Sequence, residues 1–251
     1  MLVATPSGIT LAPEGGAHQS VYSPLIGMGQ PGLASYEPAF VDELSEIVRF
    51  ALQYMQEEEG GSVYLRLSTR AIEQPERELD DALRRAIVEG GYWVVPPRAG
   101  SELALAYAGV LAPEVRQAHE ALAEDLPGLG LLAVTSPERL HTGWRHAQRR
   151  RAEGERGARA HVEELLAPLA PGATLVSVHD AHPAALSWIG SVAGNRLVAL
   201  GVDRFGQSGD LPDLYREYGL DVDAIVDAVA RACLDRRRAW SGPADPDALP
   251  G

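Results

Sequence analysis

The chain has 251 residues, 45% of them hydrophobic and 23% charged, enough to bury a full core in one large domain or two small ones. Its 35 acidic residues outnumber 22 basic ones, and the formal net charge of -13 repels phosphate backbones and anionic lipid, so neither nucleic acid nor a membrane is an expected partner. The single cysteine, Cys233, permits no internal disulfide or cysteine metal site. The first residues lack a basic region followed by a long apolar core, and no apolar run approaches the roughly 18 residues that span a bilayer; a cytoplasmic protein is expected.

Residues 8–38 carry repeated glycine and proline, among them Gly27, Gly29, Pro31, Gly32 and Pro38, which predicts a long irregular segment of a functional kind. Within it, Glu14 and His18 flank the adjacent glycines Gly15 and Gly16. Glycines let a ligand approach the backbone, and an imidazole exchanges a proton near neutral pH. Glu14, His18, Gln19 and Ser20 are therefore candidates for binding and protonating a substrate with an anionic or carbonyl group. A glycine-rich turn with one histidine is also a common structural feature, and pattern alone leaves both readings open.

Pro38 fits the first turn of a helix to about Gln56, with Phe40, Leu44, Ile47, Val48, Ala51, Leu52 and Met55 on one buried face. A strand follows from Ser62 to Thr69, with Arg66 at its centre able to face away from a core. Residues 73–99 are dense in charge and end in Pro96 and Pro97, as a linker would, although Gly91 to Val95 suits a short strand. From there strands and helices alternate. Strands are expected at 103–108, 130–135, 173–178 and 197–202, and helices at 113–125, 137–151, 158–169 and 183–192, with two more before a flexible tail at 236–251. This order predicts an α/β chain with a mostly parallel sheet covered by helices. Gly219 and Asp221 read as the stop of one helix and the cap of the next.

The basic runs Arg149–Arg151 and Arg236–Arg238 fall in last helical turns, where cations oppose the negative end of the macrodipole; a polyanion site is the sharper alternative. His179, Asp180 and His182 follow a strand end, a place where ligands gather, but the spacing supplies no third placed metal ligand, and no metal is assigned. Asp203 and Arg204 share that kind of position. His119, His141, His146 and His161 read as solvated or capping residues on helices, and Trp93, Trp144 and Trp188 as packing groups.

Three stretches carry a family likeness: LAPEGGAHQS from Leu11 to Ser20, SYEPAF from Ser35 to Phe40, and GVDRFGQS from Gly201 to Ser208. From about Ser7 to Leu234 the chain resembles the C-terminal part of the thiamine-diphosphate enzymes of the transketolase and 2-oxoacid dehydrogenase superfamily. The first two stretches favour the homodimeric pyruvate dehydrogenase decarboxylating subunit. The third, with the residues from Leu214 to Gly219, is shared in kind with transketolases.

The resemblance implies that residues 1–72 form the C-terminal part of a pyrimidine-binding domain, 73–99 a linker and 100–235 a transketolase C-terminal-like domain that supports dimerisation. It makes His18 the substrate-side catalytic histidine, with Glu14, Gln19 and Ser20 on the substrate, and it would let Tyr36 and Phe40 line a cofactor cleft as readily as pack in a core. In the family's reaction a thiazolium carbanion adds to a 2-oxoacid, carbon dioxide leaves, and the acyl unit passes to a lipoyl group. The diphosphate and magnesium motif and the pyrimidine-activating glutamate have no match here. Thiamine diphosphate with magnesium is thus expected in a complete assembly and not on this chain alone. A companion chain or N-terminal domain would supply that site, and a lipoyl-bearing acyltransferase and a second copy of the chain are the other expected partners. The alternatives are a transketolase half acting on sugar phosphates, for which Arg66 and Arg70 are the nearby cations, and a non-catalytic interaction module.

Overall fold

Two β-sheets meet at the carboxyl ends of their strands. The computed structural model describes residues 1–5 and 7–240, with side chains through Arg236. One sheet holds β1 (Leu2–Ala4), β2 (Leu33–Tyr36) and β3 (Ser62–Arg66), all parallel, in the order β1-β3-β2. The other holds β4 (Gly91–Val95), β5 (Ser101–Ala108), β6 (Gly130–Val134), β7 (Leu169–His179) and β8 (Arg196–Leu200) in the order β4-β6-β5-β7-β8. Only β4 runs antiparallel to its neighbour.

The helices are α1 (Ser23–Met28), α2 (Val41–Tyr54), α3 (Asp81–Glu89), α4 (Ala112–Leu122), α5 (Pro137–Ala152), α6 (His161–Leu166), α7 (Ala184–Ser187), α8 (Leu211–Glu217) and α9 (Val222–Trp240). Strand β5 shows why the second sheet is covered on both sides. Leu103, Leu105 and Tyr107 face a core shared with α4 and α9, while Ala104, Ala106 and Ala108 face a core shared with α5 and α6. A central strand buried on both faces reads as an unbroken apolar run, and side-chain size divides its faces. No described helix is long and apolar enough to cross a membrane.

Several expectations are corrected. Residues 8–38 are not one irregular segment, since they hold α1 and β2. The helix expected at Pro38 starts at Val41, because the Glu43 carboxylate accepts from Ala39 N at 2.7 Å and Phe40 N at 3.1 Å and fixes the entry there. The 73–99 stretch is more than a linker. Asp80 caps α3 through Leu83 N at 2.7 Å, and β4 joins the edge of the second sheet. The helix expected to reach 169 ends at Leu166, and Leu169 already pairs with Ser101 in β7. The tail expected from 236 is helical to Trp240, and residues 241–251 lie outside the described residues.

Arg66 was expected to face away from the core; instead it is 1% exposed and joins the two sheets. One guanidinium nitrogen donates to Glu37, the residue after β2. The other donates to Ser20 O at 2.6 Å and to Asp180 O at 2.7 Å, just past β7. Glu37 also meets His179 Nε2 at 2.7 Å, and its own amide donates to Thr135 O at 2.7 Å beyond β6. Gly109, at φ 61°, passes so close that a Cβ would lie 2.6 Å from the Glu37 carboxylate.

A buried pair broken from one side leaves an uncompensated charge. Arg66→Met is expected to lower unfolding stability by about 3–5 kcal/mol, and adding Glu37→Leu should recover part of that loss. Denaturant unfolding of the three proteins, with equal slopes, measures both effects.

Candidate functional site

The segment between Gly8 and Ser20 is a loop held at both ends by the buried junction. Gly8 and Ser20 pair with each other as an isolated antiparallel bridge, with Ser20 N donating to Gly8 O at 3.0 Å. At one end Ile9 N donates to Asp180 Oδ1 at 3.0 Å; at the other Ser20 O accepts from Arg66. Gly8 has φ 51°, and a Cβ there would stand 2.1 Å from the Asp180 side chain, so only glycine permits this approach. Just beyond, His182 N donates to Val21 O at 3.0 Å and the Tyr22 ring lies 5.6 Å from the His182 ring.

Between these anchors Ala12–His18 winds as a 3-10 segment broken at Gly15, where φ is 70° and ψ -161°. The segment rests on residues 205–209. Gly209 N donates to Ala12 O at 3.2 Å, Gln19 Nε2 donates to Gln207 O at 3.0 Å, and a Cβ on Gly15 would meet Ser208 Oγ at 2.3 Å. Two of the three stretches that carry the family likeness are therefore neighbours in space. His18 and Glu14 project from the outer side, each 56% exposed, with His18 Nδ1 3.8 Å from Glu14 Oε2. A carboxylate beside an imidazole can orient the ring. Phe205 is 82% exposed beside this loop.

The structure thus brings together Glu14, His18 and Gln19, and turns Ser20 inward through its carbonyl while its hydroxyl meets Ser23 Oγ at 2.6 Å. Tyr36 and Phe40 are core residues: Tyr36 is fully buried with its hydroxyl on Val88 O at 2.8 Å, and Phe40 is 4% exposed. His119 and His161, expected as solvated or capping residues, instead reach Leu129 O just before β6 at 2.9 Å and Gly91 O in β4 at 2.7 Å. Arg70 is committed to Glu114, at 2.6 Å and 3.0 Å, and lies over the Tyr215 ring. His179 and Asp180 are fully buried, and no group of three or more histidine, cysteine, aspartate and glutamate side chains among the described residues could hold a metal ion.

Sequence reasoning missed the support beneath the loop: Glu37, Arg66, His179 and Asp180. The signal was present in the charged residues inside two apolar strand contexts, Tyr36-Glu37 and Val63 to Arg66, and in the histidine and aspartate closing β7. Burial raises the Glu37 carboxyl, but Arg66 and His179 outweigh it and hold the group below the usual range. Asp180 goes the other way. Burial pushes its carboxyl up to about 6, against the lowering effects of Arg66 and the Ile9 amide, while the Glu37 charge adds to the rise.

The sign of the stability effect follows from that value. With a folded pKa of about 6 and an unfolded one near 3.9, Asp180 contributes stability that is complete below about pH 4 and lost as pH rises through 6. The difference amounts to about 3 kcal/mol. Asp180→Asn keeps an acceptor for Ile9 N and removes the titration. Relative to the wild type, it should therefore gain about 2–3 kcal/mol between pH 4 and pH 7.5, read from urea unfolding at the two pH values.

No family model matches the chain. It is 30% identical over 237 residues to the pyruvate dehydrogenase E1 component of Mycolicibacterium smegmatis, a match that takes in 91% of this chain and 25% of that protein. Among solved structures it is similar to the transketolase of Leishmania mexicana, with a TM-score of 0.68 and 19% identity over 98% of this chain and 31% of that one. A Pichia stipitis transketolase in complex with sedoheptulose-7-phosphate gives a TM-score of 0.69 at 17% identity, over 94% of this chain and 30% of that one. The chain spans about a quarter of the length of its curated relative and under a third of these structures. In sequence and in fold it resembles the C-terminal part of the transketolase and 2-oxoacid dehydrogenase superfamily.

Proposed function

We propose that this chain is the C-terminal segment, or one half of a split form, of a thiamine-diphosphate-dependent 2-oxoacid dehydrogenase decarboxylating subunit of the pyruvate dehydrogenase type. The observation that carries the reading is the loop: His18 and Glu14 stand exposed at its crest, while both of its ends are locked to a buried charge network. Similarity to the mycobacterial E1 component over nearly the whole chain supports the same branch.

The residues around the loop do not fit the diphosphate and its magnesium. They offer no cluster of metal-ligating side chains, and the guanidinium groups of Arg66 and Arg70 are already committed to Glu37 and Glu114. The cofactor is therefore assigned to a companion chain or domain, and no step on this chain runs through it. What the chain's own residues do is narrower. His18 is positioned to donate a hydrogen bond to negative charge that develops on a bound 2-oxoacid, and Glu14 orients the ring. Gln19 holds the crest down on residue 207. The rest of the chain is a scaffold for dimerisation and for docking of the companion, with the lipoyl-bearing acyltransferase as acceptor of the acyl unit.

A transketolase-type half acting on sugar phosphates would draw on Arg66 and Arg70 near the loop, and their internal pairing disfavours it. An interaction module would need no exposed histidine on a braced loop.

The test is reconstitution. The chain, mixed with a companion carrying the diphosphate site, is expected to decarboxylate a 2-oxoacid. His18→Ala should then lose about 2–4 kcal/mol of transition-state stabilisation, a fall in kcat on the order of 30- to 1000-fold. Its melting temperature should hardly move, because the side chain is exposed. Unchanged turnover in the variant would remove His18 from the site, and activity with sugar phosphates alone would favour the transketolase reading.

A further inference from the structure

Helix α5 carries an unusual surplus of cations for so acidic a protein. Arg150 and Arg151, in the run at its last turn, are neutralised by Glu155 and by Glu163, the latter at 2.8 Å and 3.0 Å. Arg149, the third member of the run, turns to a different face. Spacings of three, four and seven residues place it with Arg145 and Thr142 along one side of the helix. That side forms one wall of a cleft of about 440 Å³, and the loop from Met28 to Ala34 together with Tyr54 forms the other.

Arg139, Arg145 and Arg149 all line this cleft, as do His141 and His146. None of the three arginines makes an ion pair with a described carboxylate. Arg139 lies over the Phe50 ring at 5.3 Å, and Arg145 reaches only Gln148 Oε1 at 3.3 Å. The cleft's one acidic residue, Glu138, is 7% exposed and accepts from Ser35 N at 3.3 Å, so its carboxylate is turned to the protein interior. Burial keeps its carboxyl above the usual range, against the lowering effects of its hydrogen bonds and of Arg139 and His146. Uncompensated guanidinium groups converging on one cleft repel one another, and an anion relieves that repulsion.

We infer that this cleft between α5 and the loop from Met28 to Ala34 binds a small phosphorylated molecule. Guanidinium forks match phosphate oxygens in geometry as well as in charge, and the imidazoles add donors at the same wall. Leu33, Pro31 and Tyr54 supply apolar surface for a carbon skeleton. The volume lies in the range of small-molecule sites, and the net charge of -13 opposes a polymeric anion reaching across the surface. His18 is not among the lining residues, and the inference does not depend on the proposed function.

The experiment uses the whole chain at low ionic strength, with inorganic pyrophosphate and adenosine monophosphate as probes in calorimetry. Saturable binding is expected for at least one of them, together with a rise in melting temperature that sodium chloride of equal ionic strength does not produce. Arg145→Gln with Arg149→Gln should weaken that binding at least tenfold. Arg150→Gln, which removes a charge outside the cleft, should leave it unchanged. Both cleft arginines are exposed, so the double variant is expected to fold as the wild type does. The absence of saturable binding by either probe, or equal binding by the double variant, would overturn the inference. So would binding of a short single-stranded oligonucleotide in place of both probes.

Discussion

The buried guanidinium of Arg66 is the constraint on which the arrangement depends. A cation taken out of water costs several kcal/mol unless it is paired, and the two terminal nitrogens of Arg66 find acceptors in three separate parts of the chain, Glu37, Ser20 and Asp180, while its Nε is buried without one. Glu37 in turn holds His179, which closes β7. Satisfying one charge therefore fixes where the first sheet ends against the second and where the loop bearing His18 begins its exit. Close glycines are the steric counterpart of that requirement. Gly8 and Gly109 leave room at Asp180 and Glu37, where any side chain would push the network apart. Such a network adds little stability compared with an apolar core of the same shape. Its value here is geometric, because each member admits few alternative positions.

The loop is braced by contacts within this chain. Its ends are tied to Asp180 and Arg66, and its middle rests on residues 205–209, which lie between β8 and α8. A catalytic side chain needs placement within a fraction of an ångström, and that precision comes from supporting contacts beneath it. In a split or segmented enzyme, the substrate-side histidine would thus be preorganised before a companion chain arrives. Under the proposed function chemistry and support are separate: the exposed pair Glu14 and His18 make few contacts, while the residues that hold them are almost wholly buried.

That separation also explains what could be read from the sequence. Periodicity made the second sheet legible, because β5, β6 and β7 are apolar runs between amphipathic helices and each is buried on both faces. The first sheet was harder. β1 and β2 have three and four residues, too few for alternation to show, and their pairing with β3 is set by contacts distant in sequence. Helix α3 and strand β4 were obscured by charge, since Arg77 and Arg84 look solvated in sequence but pair with Asp42 and Glu46 on α2. The glycine pair beside His18 gave the loop away, whereas Glu37 and His179 are 142 residues apart and meet only when both sheets are in place. A lone charged residue inside an apolar strand, Arg66, is the clue to that network that the sequence carries.

The same reasoning separates the basic residues that matter from those that do not. A run such as Arg149 to Arg151 looks uniform in sequence, yet two of its members are neutralised by Glu155 and Glu163 and one is not. Other described arginines, among them Arg85, Arg98, Arg116 and Arg196, also lack an ion pair, so the informative feature is not a missing partner but the convergence of three such cations on one concave wall. Three such cations on one cleft wall mean that the surrounding surface has kept its acids away or turned them inward, as Glu138 is turned to Ser35. Folding gains nothing from that arrangement, because like charges within a Debye length destabilise the compact state. A cost of this kind, concentrated at one concave place, is the physical mark of a site whose compensating charge arrives from outside the chain.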